Sequence, residues 1–406
     1  SADVLASIAR VRDPEIASPV AWMYDAVESV SAADDWTVTI ALKSPSALFR
    51  YVPAVSAGYV VSKAAIAQFG MDLTRNPVGT GPYKFVRWDA GSLVELEKHA
   101  GYWQSGKPYF DRVIFKIVQE GTTRTAGLKS GELDAEAIVP ADQIATVREL
   151  PNITLQEIVS YSVYTIAMRT DRPPFDDAKV RAAVSHALDV PAVVASIMQE
   201  GGIAASVTTV PPSMPGSAAE TLAAIPFDLE RAKALMAESS HPQGFATTLV
   251  TSPLEEWTAI SVYAQEALKE LGIDVAVERQ SWEEVVTIYQ SGEYDGMVFF
   301  GWAADFPDAS GMLLPIFHSR HVPPQPNIAY YRNPRVDALL DASQSELDPE
   351  ARRNALLEAQ ELIAADMPVL WITYPTQFWA MNAAITGYTL SPLWAWDCFT
   401  RDLRPA

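Results

Sequence analysis

Residues 245–300 decide the fold, and they read FATTLVTSPLEEWTAISVYAQEALKELGIDVAVERQSWEEVVTIYQSGEYDGMVFF. Alternating or clustered apolar residues predict three strands, at residues 245–250, 273–277 and 297–300. Helices are predicted between them, because one helically spaced stretch ends at Gly272 and because Ser281 followed by Glu284 forms a capping box. Strand, helix, strand, helix, strand at this spacing indicates two crossover units, and hence a parallel sheet covered on both faces.

The rest of the chain is predicted to place this α/β segment inside a second lobe. Helices are predicted over residues 176–198 and 348–366, and strands over residues 36–42, 92–98, 113–118 and 369–374. After about residue 375 the pattern is aromatic and irregular. A strand-rich start, an α/β middle and a short return predict that lobe II, residues 166–371, is inserted into lobe I, residues 1–165 and 372–406.

Composition excludes several classes of partner. The chain has 406 residues, of which 49% are hydrophobic, and 50 acidic against 30 basic residues give a net charge of −20. Nucleic acids and anionic membrane surfaces attract basic proteins, so neither is expected as a partner. The single cysteine, Cys398, excludes a CxxC zinc site. The longest apolar run, residues 296–304, is too short to span a bilayer.

The carboxyl ends of the predicted parallel strands are where ligands are expected. The most informative of these ends is residues 301–308, which read GWAADFPD. Asp305 is predicted to pair with a cationic group of a ligand, although a helix cap or a loop salt bridge would also explain it. Trp302 and Phe306 beside it are predicted to offer the ligand an apolar surface. Asp308 is the better candidate for the cap. Farther along the chain, Trp394 and Trp396 either stack on ligand or pack lobe against lobe.

No pattern of an enzyme, metal site or cofactor site stands out. His318 and His321 lie in a proline-rich stretch with no third ligand placed, so no metal is expected. There is neither a GxSxG elbow nor an HExxH motif, and the GxG pair at residues 79–81 lacks the rest of a phosphate loop. No catalytic residue is therefore assigned and no cofactor is expected. A two-lobe hydrolase stays open as the alternative of a different class, because a Ser-His-Asp triad assembles only in the fold.

Several motifs resemble the family 5 extracellular solute-binding proteins, the peptide, nickel and opine receptors of ABC importers. The motifs that carry this resemblance are NPVGTGPY at residues 76–83, YWQSGKPY at 102–109, SGELD at 130–134, PPFDDAKVR at 173–181 and GWAAD at 301–305. The resemblance implies an α/β, two-lobe periplasmic-binding-protein-like fold (cluster C, type II-like), with lobe II inserted into lobe I. It also implies hinge strands near residues 164–168 and 370–374, about which the lobes close on ligand.

The resemblance further implies the role and location of the protein. A short peptide or other small molecule would be captured without chemistry and delivered to an ABC permease in the inner membrane. The chain would work as a monomer in the periplasm, or as a lipid-anchored extracellular protein in a Gram-positive cell. In peptide-binding members the aspartate of the Trp-x-x-Asp segment holds the α-ammonium of the peptide, and the backbone before it pairs with the peptide. That role carries over to Asp305, with Gly301 and Ala303 as main-chain partners.

Two departures from the family pattern bear on the ligand and on lobe I. Some oligopeptide receptors carry an arginine three residues before the tryptophan, where this chain has Phe299. Family members also have a signal peptide and a strand-rich segment before the region matched here, so lobe I is expected to be incomplete, with exposed apolar surface or unpaired strand edges. The predicted solute is peptide-like or otherwise amine-bearing. A nickel complex, an opine or an oligosaccharide is the alternative within the same fold.

Overall fold

The computed structural model describes residues 1–18, 20–393 and 400–406, and these residues divide into two compact units. Unit 1 comprises Ser1–Glu157 and Phe378–Ser391 together with residues 400–406, and unit 2 comprises Ile158–Gln377 with residues 392 and 393. Unit 2 is thus inserted into the chain of unit 1, as in the two-lobe α/β fold that the sequence predicts.

The chain passes between the units outside the segments that the sequence analysis assigns to the hinge. The divisions lie at 157/158 and 377/378, whereas the prediction places them at 165/166 and 371/372. Residues 164–168 and 370–374 both lie inside unit 2. The reason is that these two segments pair with each other as core strands of its sheet.

Unit 1 is built from small sheets and short helices. Its elements, up to the first passage into unit 2, are α1 Ala2–Arg12, β1 Val27–Ala32, β2 Val38–Leu42, α2 Lys63–Phe69, β3 Tyr83–Asp89, β4 Leu93–Lys98, β5 Arg112–Lys116, α3 Gly121–Ser130, β6 Ala135–Glu136, α4 Ile144–Arg148 and β7 Ile153–Val159. Strands β1 and β2 form an antiparallel pair, and β3, β4 and β5 form an antiparallel sheet. The predicted strands at residues 36–42, 92–98 and 113–118 correspond to β2, β4 and β5, with ends that differ by one or two residues.

The three-stranded sheet of unit 1 leaves apolar side chains exposed. Val86 on β3 and Ile114 on β5 are each more than two-fifths exposed, and Phe115 is 37% exposed. Ile114 and Phe115 point to opposite faces because side chains alternate along a strand, so both faces of β5 carry apolar surface. The guanidinium of Arg75 lies 3.6 Å from the ring centre of Trp88 on β3.

Unit 2 contains the predicted α/β segment. Its elements are β8 Ser162–Met168, α5 Ala178–His186, α6 Val190–Val193, β9 Gly202–Ala204, α7 Leu229–Ala237, β10 Phe245–Thr251, α8 Glu255–Leu268, β11 Ile273–Arg279, α9 Trp282–Ser291, β12 Met297–Ala303, α10 Ser310–Phe317, α11 Pro334–Ser345, α12 Pro349–Asp366 and β13 Val369–Asn382. Strand β7 passes into unit 2 at residue 158, and β13 passes into unit 1 at residue 378. The last strands given for unit 1 are β14 Ile385–Thr386 and β15 Arg404–Pro405.

The sheet of unit 2 has the order β11-β10-β12-β8-β13, with β9 paired to β13. Strand β10 is parallel to both β11 and β12, which confirms the predicted crossover units. Strands β8 and β13 join antiparallel. The local signals for this segment also hold, because Ser281 and Glu284 form the capping box and Gly272 ends the preceding helix in the left-handed region.

Two predicted elements of unit 2 are wrong in extent. The helix predicted over residues 176–198 breaks after α5, because Asp189 caps a new short helix that has Pro191 in its first turn. The strand predicted over residues 369–374 continues to Asn382 as β13, so residues 375–382 are regular, whereas residues 387–393 belong to no helix or strand. The carbonyl of Pro375 accepts hydrogen bonds from the N–H and the hydroxyl of Ser160, and these bonds hold the strand at this residue.

Both faces of this sheet are buried. One face includes Val250, Val298 and Phe300 and is covered by α10, α11 and α12, while the other includes Leu249 and Phe299 and is covered by α5, α7 and α8. Within the described residues no single helix has the length and apolar character to cross a bilayer, and one bent pair, Ala178–His186 with Val190–Gly201, satisfies that test by length and composition alone.

Candidate functional site

The candidate site lies where β12 leaves the sheet. Strand β12 extends beyond its parallel neighbour, because β10 pairs only with Met297 and Val298 and ends at Thr251. On its other side β12 stays paired with β8 along its whole length, as far as Ala303 opposite Ser162. Residues 299–303 therefore form a strand with one paired edge and one edge that no strand of the described chain covers.

The main-chain groups of Gly301 and Ala303 belong to the uncovered edge. The N–H of Arg169 donates to the carbonyl of Gly296 (3.1 Å), and the N–H of Ala304 donates to the carbonyl of Tyr161 (2.8 Å). In an antiparallel ladder every second residue bonds to the same partner, so Gly296, Ala304 and the even-numbered residues between them face β8. Phe299, Gly301 and Ala303 face the other way.

Only part of this uncovered edge is occupied by other groups. The carbonyl of Phe299 accepts a hydrogen bond from the Tyr289 hydroxyl at 2.5 Å. Within the described residues no donor or acceptor pairs with the main chain of Gly301 or Ala303 on that side. An extended segment laid along this edge would find the N–H and C=O groups of two residues, which is the arrangement of β-strand addition.

Asp305 follows the uncovered edge, and no described residue pairs with it. Its side chain is half-buried, and within the described residues it takes part in neither a hydrogen bond nor an ion pair. Burial raises the pKa of Asp305 to about 6. A carboxylate that is desolvated without compensation costs free energy in the folded chain, and a cationic ligand group would remove that cost.

Asp308, three residues on, is fully engaged in structure. Its carboxylate accepts two hydrogen bonds from the Arg352 guanidinium at 2.7 and 2.8 Å, and two from the N–H and hydroxyl of Ser310. Both members of the ion pair are largely buried. Asp308 therefore holds the start of α10 against α12, which agrees with the cap interpretation. Asp305 is then the carboxylate of this loop that no described residue pairs with.

The two aromatic side chains of the loop have structural roles. The Trp302 indole stacks on Phe300 with centroids 6.0 Å apart, and its Nε1 donates to the carbonyl of Gly311 in α10. It is half-buried, so part of its surface is open to a ligand. Phe306 is only 1% exposed and packs against Gly311. Its ring lies in the protein interior, and its contact with a ligand stays a prediction.

An aromatic cluster that sequence analysis missed borders the uncovered edge. The Trp257 ring stacks on Phe299 with centroids 4.5 Å apart and meets the Tyr164 ring edge-on at 5.3 Å. A Cβ at Gly301 would lie 2.8 Å from the Trp257 ring. The absence of a side chain at Gly301 is thus what lets the ring of Trp257 cover this face of the strand. Trp257 comes from α8 and Tyr164 from β8, so no local motif could have joined them.

The close contact predicts the effect of adding one methyl group. Gly301→Ala is expected to lower the free energy of unfolding by about 1–3 kcal/mol, because Trp257 is held by its stacking partner and can move little. Thermal or urea denaturation would measure the loss. The matched control is Gly79→Ala, since a Cβ there meets no atom within 4 Å, and it should stay within about 0.5 kcal/mol of wild type. Equal melting temperatures for Gly301→Ala and wild type would contradict this prediction, because they would show that the Trp257 ring can move aside at little cost in free energy.

The other sequence-predicted residues lie elsewhere or beyond the described chain. His318 Nε2 lies 3.3 Å from Asp341, and His321 Nδ1 lies 2.8 Å from the carbonyl of Leu314. Among the described residues, no group of three His, Cys, Asp or Glu side chains has the geometry of a metal site. Trp394 and Trp396 lie outside the described residues. The chain just before them is fixed at the site, because the N–H of Tyr161 donates to the carbonyl of Pro392 at 2.7 Å.

Comparison with known proteins places the chain among transport receptors. The model for bacterial extracellular solute-binding proteins, family 5 Middle, matches residues 1–323. The glutathione-binding protein GsiB of Salmonella choleraesuis (strain SC-B67) is 30% identical over 411 residues, which cover 100% of this chain and 80% of the relative. Its counterpart in Shigella dysenteriae serotype 1 (strain Sd197) is 31% identical over 399 residues, 97% of this chain and 77% of the relative.

Solved structures agree with this placement. The periplasmic binding protein DppA of Helicobacter pylori, in complex with the peptide STSA, superposes with a TM-score of 0.90 at 25% identity, over 100% of this chain and 81% of that one. The dipeptide-binding protein of Pseudoalteromonas sp. SM9913, in complex with Met-Leu, has the same fold, with a TM-score of 0.88 at 24% identity over 100% of this chain and 83% of that one.

Proposed function

The chain belongs to the family 5 bacterial extracellular solute-binding proteins, and from this we propose that it is the receptor of an ABC importer for a peptide-like or other amine-bearing solute. It captures the solute outside the cytoplasmic membrane, in the periplasm, and delivers it to a permease without chemical change. Relatives named for glutathione and for short peptides support a ligand of this class. Each of those ligands offers an ammonium group and amide groups.

The observation that carries the proposal is the unpartnered Asp305 carboxylate beside the uncovered edge of β12. An extended ligand that pairs with Gly301 and Ala303 would bring its first ammonium group to the end of the strand, where Asp305 lies two residues on. The resulting charge-assisted hydrogen bond would offset the cost of desolvating the carboxylate. The charge of Asp305 would anchor the end of the ligand, and the strand edge would anchor its backbone. Neither contact requires a particular side chain of the ligand.

The pH dependence of binding tests this assignment. Because the pKa of Asp305 is raised to about 6, acidification below pH 6 should protonate the carboxyl group and remove the charge that holds the ligand. The affinity for a free-amine peptide such as Ala-Ala-Ala should fall about tenfold for each pH unit below 6, as measured by calorimetry between pH 7.5 and 5. The α-amino group of the peptide has a pKa near 8, so the peptide is almost fully protonated below pH 7, and the fall in affinity below pH 6 reports on the protein.

The control is the same peptide with an acetylated N-terminus. It should bind at least tenfold more weakly than the free amine at pH 7.5, and its affinity should change little with pH. An acetylated peptide that binds as tightly as the free amine would contradict the role of Asp305. Binding of neither peptide, with a nickel complex, an opine or an oligosaccharide bound instead, would contradict the ligand class.

A further inference from the structure

A second carboxylate that no described cationic side chain pairs with lies near the uncovered edge of β12. Glu256 is in the first turn of α8, and it is half-buried, whereas its neighbour Glu255 is exposed. Its own backbone N–H stabilises the Glu256 carboxylate in part, but within the described residues no cationic side chain pairs with it. Burial raises the pKa of Glu256, and the charge of Glu255 adds to the rise. A buried carboxylate without a counter-ion is uncommon in a folded protein, so it requires an explanation.

The contacts of α8 and β8 place Glu256 at this edge. The residue after Glu256 is Trp257, whose ring lies over Gly301 and against Tyr164. Glu256 is near enough to Tyr164 to add to the rise of its pKa, which burial and this charge together bring to about 12. Tyr164 is itself the residue opposite Gly301 in the β8–β12 pair. Helix α8 also begins four residues after β10 ends at Thr251, so its first turn, with Glu256, lies beside the same two-residue edge that Asp305 follows.

Another polar group on the same face of the sheet lacks a partner. The Thr251 side chain is 0% exposed, and its Oγ1 has no hydrogen-bond partner among the described residues. Side chains alternate along β10, so Thr251 shares the face of Leu249, which packs with Trp257 and Phe299. An orphaned hydroxyl at this depth costs free energy, and a polar group of a ligand at the end of β10 would offset it.

At this edge the described residues place no cationic side chain that could bind the carboxylate end of a ligand. Position 299, three residues before Trp302, is occupied by buried Phe299. Arg279, at the end of β11, directs its Nη2 to the carbonyl of Pro253 at 3.4 Å and forms no ion pair with Glu255 or Glu256 among the described residues. The net charge of −20 further favours cations over anions in approach to the protein.

The positive end of a helix dipole does not by itself account for Glu256. An acidic residue in a first turn interacts favourably with the helix N-terminus, and exposed Glu255 supplies that interaction without loss of solvent. The half-buried side chain of Glu256 gives up solvent beside the ligand edge and gains no counter-ion.

We propose that Glu256 is a specificity-determining residue that recognises a second cationic group of the ligand. The inference rests on the proposed function and narrows the ligand to molecules with two positive charges, such as a short peptide with a free N-terminus and one lysine or arginine side chain. Asp305 holds the terminal ammonium, the edge of β12 pairs with the amide groups, and Glu256 takes the side-chain cation.

A peptide series with one charge changed at a time tests the proposal. Calorimetry would compare Lys-Ala-Ala, Ala-Lys-Ala and Ala-Ala-Lys with the three peptides that carry norleucine in place of lysine, which keeps the aliphatic chain and removes the charge. At least one lysine peptide should bind ten times more tightly than its norleucine counterpart. Glu256→Gln should reduce this preference to threefold or less.

The matched control is Glu255→Gln, which makes the same charge change in the same helical turn at an exposed position. It should keep at least a fivefold preference for lysine. Equal affinities for lysine and norleucine peptides in the wild type, or a tenfold preference that persists in Glu256→Gln, would overturn the role of Glu256 while leaving the proposed function intact. Failure of all six peptides to bind would overturn the proposed function and this inference together.

Discussion

Asp305→Asn is expected to weaken the binding of a free-amine peptide by a hundredfold or more, and to leave the protein as stable as the wild type or more stable. The substitution keeps the shape of the side chain and removes the charge. A ligand ammonium that loses its carboxylate partner at a desolvated position loses about 3 kcal/mol or more, which is two decades in affinity. Calorimetry at pH 7.5 with a peptide that the wild type binds would measure the change.

The stability part of this expectation follows from the direction of the pKa shift. The pKa of Asp305 is about 6 in the folded chain and near 4 in an unfolded chain. The charged form is therefore disfavoured in the folded state, and Asp305 lowers stability above pH 6 but not below pH 4. Asn at this position should raise the free energy of unfolding at pH 7.5 by about 1–2 kcal/mol after allowing for solvent screening.

The opposite result would support a structural role for Asp305. If it capped a helix or joined a salt bridge, Asp305→Asn would lower the melting temperature and leave affinity unchanged. Binding within threefold of the wild type for a confirmed amine-bearing ligand would show that the ammonium is held elsewhere. Asp308 would not replace it, because the Asp308 carboxylate is occupied by Arg352 and Ser310.

Asp308→Asn should have the reverse pattern, with a loss of about 3–5 kcal/mol in the free energy of unfolding and little change in affinity. The substitution leaves the Arg352 guanidinium buried without its counter-ion, and removing one member of a buried pair is far more costly than the pair itself is stabilising. Urea denaturation followed by circular dichroism would measure the loss. Binding would be compared at a temperature where the variant is folded.

The double variant Asp308→Leu/Arg352→Met separates the lost ion pair from the lost packing. Replacement of both charges by apolar side chains of similar size should recover most of the stability, because no buried charge is then left unpaired. A melting temperature for Asp308→Asn within 2 °C of the wild type would contradict the assignment of Asp308 to structure. Together with Asp305→Asn, these variants distinguish two carboxylates only three residues apart.

Local sequence signals predict the α/β segment well. They fail where the extent of an element depends on a residue far away in the chain. Ser281, Glu284 and Gly272 act within one helical turn, so the end of the α8 segment and the start of α9 can be predicted from sequence. The continuation of β13 past Pro375 depends on Ser160, which is more than two hundred residues away in the chain. No sequence window contains both residues, so this continuation could not be predicted.

The site shows the same contrast. The resemblance to a family selects Asp305, Gly301 and Ala303, and the ladder of β12 shows why those main-chain groups are available. The role of Phe306 depends on packing against α10, and that of Glu256 on a missing counter-ion. Neither property belongs to a residue type or to a spacing, because burial and the absence of partners arise only when separate elements meet.

The insertion of unit 2 has a consequence for synthesis on the ribosome. All of residues 158–377 emerge as one continuous stretch, so the sheet of unit 2 can assemble while the end of the chain is still being made. Unit 1 cannot complete its core until later, because Phe378 and Ala380 complete the cluster around Ile144 and Val147, and Ala380 pairs with Glu136. The apolar surface of unit 1 is thus exposed during elongation for the time that more than two hundred further residues take to be translated, which is a condition that favours aggregation of incompletely folded chains.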